Sequence, residues 1–537
     1  MIDTIFKTKS ELFLAFKLED LNETFVQGFP MKWSVNWENQ NPPIYLDEVI
    51  QIFPEMFLGF SIFFLLMHGI SISSSKIKNY PLVQRSISSL VVLVLIFNLI
   101  LLFNILVTVN CLSLSNTFCL NYISLYSKQI ILIFAIICII ITETYLKDQQ
   151  INSFEYLILV LFSIFGLLLL CSSNDLLTAY LAIEIQSLAF YLLAAYKKNS
   201  SFATEAGLKY FILGSFSSGL LLFGASLIYG ITGSTNFEDF KDLFFYINLS
   251  ESSYKFIDFN ILNIGLFFLI VSLFFKLALA PFHIWSPDIY EGSLTSSTVF
   301  FAVLPKLSIF VLLTNLLKAS IYDLNVFTKP VIIVVGLFSI FIGSFVGIEI
   351  RKVKSLLAYS SVGHMGYILL ACSTFTFEGK QAMFSYLFVY MLTSVCIWSV
   401  FLILRLKKFY IKKTNKDLSD FVSLNKSNMT LAVIFLVSLL SLAGFPPLIG
   451  FYIKVKVFFA LIEETQYLVS IITILCSVIS TFYYIRFIKV IFFEKTLVGN
   501  LYYPLKYFYS FITLLCTILF IYLFINPNLL FCFVYSF

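Results

Sequence analysis

From residue 49 onward the chain alternates between long apolar runs and short polar gaps. The runs cover 49–73, 86–110, 125–146, 153–173, 175–196, 203–232, 261–282, 294–317, 330–349, 353–374, 380–404, 430–461, 467–493 and 507–526. Each is near or above the ~20 residues that an α-helix needs to cross a bilayer core. The pattern predicts an all-α integral membrane protein with about fourteen transmembrane helices. Two runs carry interruptions. The seventh holds Pro281, with Pro287 just beyond its end, and the twelfth holds Gly444 and then Pro446 and Pro447. Helices 7 and 12 are therefore expected to be broken, and irregular backbone at membrane depth survives only inside protein or beside a water-filled cavity.

The two broken spans stand five apart. An odd number of spans per repeat forces two copies into opposite orientations, so the spacing predicts two inverted five-helix repeats, helices 4–8 and 9–13. Lysine precedes the break in one (Lys276) and follows it in the other (Lys454). The expected organisation is an extension over 1–45 with amphipathic pieces, three spans over 46–150, a first repeat over 151–320, a second over 328–495, and a last span in 505–537. The extension mixes Lys7, Glu11, Lys17, Glu19 and Asp20 into its apolar residues. A secretory signal needs an unbroken apolar core and a transit peptide is poor in acids, so it reads as neither.

Composition agrees with the pattern: 59% of residues are hydrophobic and only 12% charged, against about 25% charged in soluble domains. Loops that follow odd-numbered spans hold about twenty basic residues and those that follow even-numbered spans about six, Lys128 counted among the latter. By the positive-inside rule the odd loops face the cytosol or matrix, and both termini face the other side. The same bookkeeping leaves five lysines inside spans: Lys209, Lys276, Lys306, Lys454 and Lys456. Glu184 is the one centrally placed acid, while Glu55 lies about two turns into the first span. A lone cation in hydrocarbon costs about 2.5–3.5 kcal/mol on insertion scales, so such residues mark ion paths unless they snorkel to an interface.

Lys276, Lys306 and Lys454 lie too deep for easy snorkelling and are candidate proton or ion carriers. Lys209 lies under two turns from the start of its span, where snorkelling is a real rival. Lys456 points to a different helix face from Lys454 and reads as snorkelling or structural. Glu184 is either a static ion-pair partner or a group that tunes a nearby lysine. His283 reads as a proton relay or as a donor to carbonyls freed by the break. His364 stands five spans after the Glu184 span, and is either its counterpart or a packing histidine. Asp288 and Glu291 follow the break and either lie near an entrance on the side of the odd-numbered loops or, the expected role, cap a helix. Nine scattered cysteines without Cys-x-x-Cys spacing give no iron–sulfur, zinc or dithiol signature, and no Gly-rich phosphate loop follows a strand pattern.

Phe275-Lys-Leu-Ala-Leu-Ala-Pro-Phe-His-Ile-Trp-Ser-Pro-Asp-Ile-Tyr-Glu-Gly292 resembles the signature of the antiporter-like, proton-conducting membrane subunits of respiratory complex I. Tyr180–Tyr191, Thr204–Ser215 and Leu357–Tyr367 match the same family. The resemblance runs from about residue 50 to 495; residues 1–45 have no clear counterpart. It implies that Glu184 modulates Lys276 on the seventh helix, that Lys306 is the central eighth-helix lysine, and that Lys454 faces the outlet half-channel. Lys209 matches a sixth-helix lysine and His283 a polar link between the central lysines. It further implies a core membrane-arm subunit of the mitochondrial inner membrane, moving protons while NADH, FMN, iron–sulfur clusters and ubiquinone are bound by other subunits. This chain would bind no cofactor or metal of its own. Expected partners are the neighbouring antiporter-like subunit, the small membrane subunits and lipids such as cardiolipin, not nucleic acid. The rival readings are a subunit of a multisubunit sodium/proton antiporter, which shares these motifs, and a structural spacer.

Overall fold

The computed structural model describes residues 46–74, 84–105, 111–149, 151, 153–241, 259–319, 325–404, 406–408, 411–413, 417–494, 507–528 and 530. The extension over 1–45 lies outside the described residues. Asp47–Phe537 is one unit by its contacts. The first six apolar runs become α1 (Leu46–Ser73), α2 (Gln84–Asn104), α3 (Tyr122–Asp148), α4 (Glu155–Ser172), α5 (Leu176–Ala194) and α6 (Ser201–Thr232). The seventh splits into α7 (Phe259–Leu277) and α8 (Trp285–Gly292). Four unbroken helices follow: α9 (Thr295–Ala319), α10 (Asn325–Glu349), α11 (Val353–Cys372) and α12 (Phe377–Ile403). The twelfth run splits into α13 (Met429–Ala443) and α14 (Ile449–Glu463), and the chain continues with α15 (Tyr467–Phe492) and α16 (Tyr507–Ile525). Twelve helices among the described residues are individually long and apolar enough to cross a membrane. The two halves of the twelfth span and the described part of α16 are shorter. The chain is a multi-pass membrane protein.

Packing repeats with a period of five spans. α4 packs on α5 as α10 packs on α11; α6 packs on α7 as α12 packs on α13 and α14; α9 packs on α4 as α15 packs on α10. The repeats meet where α9 contacts α12, and α3 lies against both. α9, α11 and α12 are almost wholly buried, whereas α1, α2 and α15 leave most of their surface open. The abundant phenylalanines divide accordingly. Phe60, Phe63, Phe64 and Phe202 point outward, while Phe190, Phe274, Phe300 and Phe310 fill the core.

Two small hairpins, absent from the all-helical expectation, sit in polar gaps. β1 (Cys111–Ser113) pairs with β2 (Phe118–Leu120), and β3 (Leu406–Lys408) with β4 (Ile411–Lys413), both antiparallel. Asn116 of the first turn accepts hydrogen bonds from Asn174 Nδ2 at 3.1 Å and Asn236 Nδ2 at 3.0 Å, which ties three even-numbered loops together.

The two breaks are built differently. α7 stops at Leu277, where Ala278 turns into the left-handed region (φ 59°) before Pro281. The carbonyl of Phe275 is taken up by the Trp285 indole N–H at 2.9 Å, so the first residue of α8 closes the end of α7. α13 stops at Gly444, whose φ of +85° suits glycine. Gly450 then lets α14 pass the end of α13, because a Cβ there would stand 1.9 Å from the Ser441 carbonyl oxygen.

Candidate functional site

Lys276 occupies the last turn of α7, so the break leaves its amine at a helix end in the protein interior. Its Nζ donates to the Tyr191 hydroxyl at 3.2 Å. Tyr191 belongs to α5, on the same face as Ser187 and Glu184, at i, i+3 and i+7. Ser187 Oγ lies 3.4 Å from Glu184 Oε2, while Glu184 Oε1 is buried without a hydrogen-bond partner. Glu184 makes no direct ion pair with Lys276. The carboxylate and the amine are separated by the Ser187 and Tyr191 hydroxyls.

Lys306 follows Pro305 in the middle of α9, the most enclosed helix, and is 4% exposed. Proline cannot donate to the preceding turn, which loosens the ladder at this depth. Lys306 Nζ donates to the Tyr390 hydroxyl of α12 at 2.7 Å and stands 4.4 Å from the centre of that ring, within cation–π range. Lys276 and Lys306 line one cavity, together with Gln186, Ser187, Tyr210 and Tyr290. It has room for about one water molecule.

Lys454 reaches back from α14 across the second break. Its Nζ donates to the carbonyls of Leu442 and Ala443, each at 2.9 Å. Those carbonyls are the unpaired groups at the end of α13, where the helix dipole favours a cation. A second cavity of similar size is lined by Lys454, His364, Tyr386, Thr393 and Tyr390. Tyr390 therefore belongs to both halves of the site: it is bonded to Lys306 and also lines the cavity of Lys454. His364 is buried on α11 with Nδ1 2.9 Å from the Tyr386 hydroxyl and Nε2 3.0 Å from the Tyr484 hydroxyl.

The remaining expected residues fall elsewhere. Lys209 is half exposed on α6 and pairs with Glu205 at 2.9 Å and Asp288 at 3.0 Å, away from the buried line. Asp288 and Glu291 do not cap a helix: the former pairs with Lys209 and the latter with Lys352. His283 rests edge-on against Tyr359, with its Nδ1 buried and unpartnered, and does not line the cavity shared by Lys276 and Lys306. Lys456 is partly buried beside the Tyr452 ring of its own helix. Lys128, assigned above to a loop, is instead fully buried in α3 and ion-paired with Glu55 of α1, because the β1–β2 hairpin folds over it. Sequence reasoning also passed over Tyr191 and Tyr390, which nothing but their depth distinguishes among thirty tyrosines. Among the described residues no cluster of His, Cys, Asp and Glu could hold a metal ion.

Broken helices in two inverted repeats, with buried lysines strung between them, define an antiporter-like membrane subunit. The family described as NADH:quinone oxidoreductase/Mrp antiporter, transmembrane, matches residues 173–480, which include every lysine of the buried line, and the chain belongs to it. Within that family its place is with the chain 2 and subunit N proteins. It is 38% identical over 463 residues to NADH-ubiquinone oxidoreductase chain 2 of Marchantia polymorpha, covering 85% of this chain and 91% of that one. It is 36% identical over 451 residues to NADH-quinone oxidoreductase subunit N of Pelagibacter ubique, covering 84% and 91%. Among solved structures, a chain of respiratory complex I from Thermus thermophilus matches with a TM-score of 0.72 at 25% identity, over 89% of this chain and 98% of that one. A chain of the Mrp complex from Dietzia shares the fold, with a TM-score of 0.74 at 17% identity, over 92% and 97%.

Proposed function

We propose that the chain is a core membrane subunit of a proton-translocating NADH:quinone oxidoreductase and that protons cross it along Lys276, Lys306, Tyr390 and Lys454. The observation that carries this reading is the sharing of cavities: Lys276 and Lys306 line one, and Tyr390, bonded to Lys306, lines the next with His364 and Lys454. A proton leaving Lys276 Nζ crosses the first cavity on water to Lys306. From Lys306 it passes to the Tyr390 oxygen as the hydroxyl's own proton departs into the second cavity, toward His364 and Lys454. Glu184, behind Tyr191 and Ser187, sets the field in which Lys276 holds its charge. The exposed Lys209–Glu205–Asp288 cluster stands at the inlet, on the face of the odd-numbered loops.

In this reading the direction is from matrix to intermembrane space across the mitochondrial inner membrane, with both termini on the intermembrane side. The distribution of basic residues among the loops supports that orientation. NADH, FMN, iron–sulfur clusters and ubiquinone belong to other subunits. The partners are the adjoining antiporter-like subunit, the small membrane subunits and anionic lipids such as cardiolipin. The test is Lys276→Met in the assembled complex, in sealed vesicles. Proton release per NADH oxidised falls sharply; wild-type pumping would sink the proposal. Gentle purification separates it from the sodium/proton antiporter alternative, which predicts co-purification without flavin or iron–sulfur partners.

A further inference from the structure

Glu55 and Lys128 lie outside residues 173–480 and outside the line from Lys276 to Lys454. Their side chains are only 5% and 1% exposed. Lys128 Nζ pairs with one carboxylate oxygen, Oε1, while Oε2 is buried with no hydrogen-bond partner. Gln51 stands one turn earlier on the same face of α1, and its Oε1 is likewise buried and unpartnered. Gln51, Glu55 and Lys128 line a single cavity with room for about one water, bounded by Ser113 and Phe118 of the hairpin and by Ser172 at the end of α4. Buried polar atoms in native proteins find partners, often an ordered water.

The chemistry of the cavity narrows its occupant. Both unfilled atoms are acceptors, so the occupant must donate hydrogen bonds and an anion is excluded. The Lys128 ammonium lines the same space and repels a metal cation. A neutral water satisfies both atoms, and it can hand a proton on without itself remaining charged. α3, which carries Lys128, packs against α9 and α12, the helices of Lys306 and Tyr390.

We propose that Glu55, held by Lys128, is a second proton-exchange site of this chain, hydrated from beneath the β1–β2 hairpin on the face of the even-numbered loops. As the cavity water takes a proton from solvent it passes one of its own to Glu55 Oε2: an O–H bond breaks on the water, one forms on the carboxyl, and the water ends neutral. Lys128 keeps its ammonium charge, so the site passes from neutral to one net positive charge, and release reverses the step. Its part in pumping rests on the translocation reading above; the exchange itself does not.

The experiment uses the assembled complex and infrared difference spectra between acid and alkaline buffer, in H2O and D2O. In Glu55→Gln/Lys128→Met both charges are removed at nearly constant shape, a change that buried ion pairs tolerate far better than loss of one partner. The expected result is loss of one carboxyl band from the wild-type spectrum. Gln51→Leu keeps the ion pair and removes one of the acceptors that hold the water, and it slows deuterium exchange at that band by about tenfold, the factor that ~1.4 kcal/mol of lost stabilisation produces. A wild-type spectrum in the double variant, or unchanged exchange in Gln51→Leu, overturns the proposal. Either failure leaves the Lys276 reading standing, since that reading falls only if Lys276→Met pumps normally.

Discussion

Tyr390→Phe removes a single oxygen atom from the centre of the molecule. The phenyl ring remains, so packing and the cation–π contact at 4.4 Å persist. What disappears is the 2.7 Å hydrogen bond from Lys306 Nζ, and with it the hydroxyl that joins one cavity to the other. A hydrogen bond to a charged group contributes about 1.5–3 kcal/mol. Losing that stabilisation from the transfer step slows it by roughly 10- to 150-fold. The assay is acidification by sealed vesicles that contain the assembled complex, started with NADH and followed with a pH-sensitive dye. Tyr390→Phe is expected to slow proton release by at least an order of magnitude, and Lys306→Met at least as much. The double variant should be no slower than Lys306→Met alone, because both changes break the same bond. Wild-type release in Tyr390→Phe, or full additivity in the double variant, would refute the placement of this hydroxyl on the path.

Gly450→Ala inserts a Cβ at 1.9 Å from the Ser441 oxygen, so α13 and α14 must separate at the second break. Overpacking of this kind costs about 1–3 kcal/mol. A lower melting temperature of the assembled complex checks it, with Gly219→Ala, which meets open space, as the control. Lys209→Gln removes two exposed ion pairs. Surface pairs of this kind are weak and screened by salt, so pumping should fall by no more than about fivefold, and by less at high ionic strength.

The spans were legible because hydrocarbon sets a minimum run length, and the breaks because helix-breaking residues cluster there, Pro281 with Pro287 and Gly444 with Pro446 and Pro447, whereas the single Pro305 leaves α9 continuous. Lys276, Lys306 and Lys454 stood out because a charge is conspicuous against twenty apolar neighbours. Their partners did not. Tyrosine belongs equally to interfaces and cores, so Tyr390 differed from other tyrosines only in what α9 brings to it. Lys209 carried a weaker signal than Lys276, because its place near the start of its span left snorkelling open; it lies on the outer face of α6, and a linear sequence does not say which face of a helix turns inward. Lys128 stands so near the start of its apolar run that it read as a loop residue; the hairpin that covers it comes from the preceding gap. The signal that could have exposed it was its complement, since Glu55 was a second acid inside a span with no lysine assigned to it.

On the proposed path the amine of Lys454 has two jobs. It would carry the proton, and two of its three hydrogens clasp α14 to the loose carbonyls of α13. Loss of one proton leaves a neutral amine with two hydrogens, enough for both carbonyls, but the bonds lose their charge assistance. The second break is thus a joint whose stiffness follows the occupancy of one nitrogen, whereas at the first break the Trp285 indole holds the carbonyl of Phe275 whether or not Lys276 is charged. The two repeats share an architecture but not a mechanical character: on the proposed path one end of the line is a fixed mount, and the other would loosen with each proton passed through it.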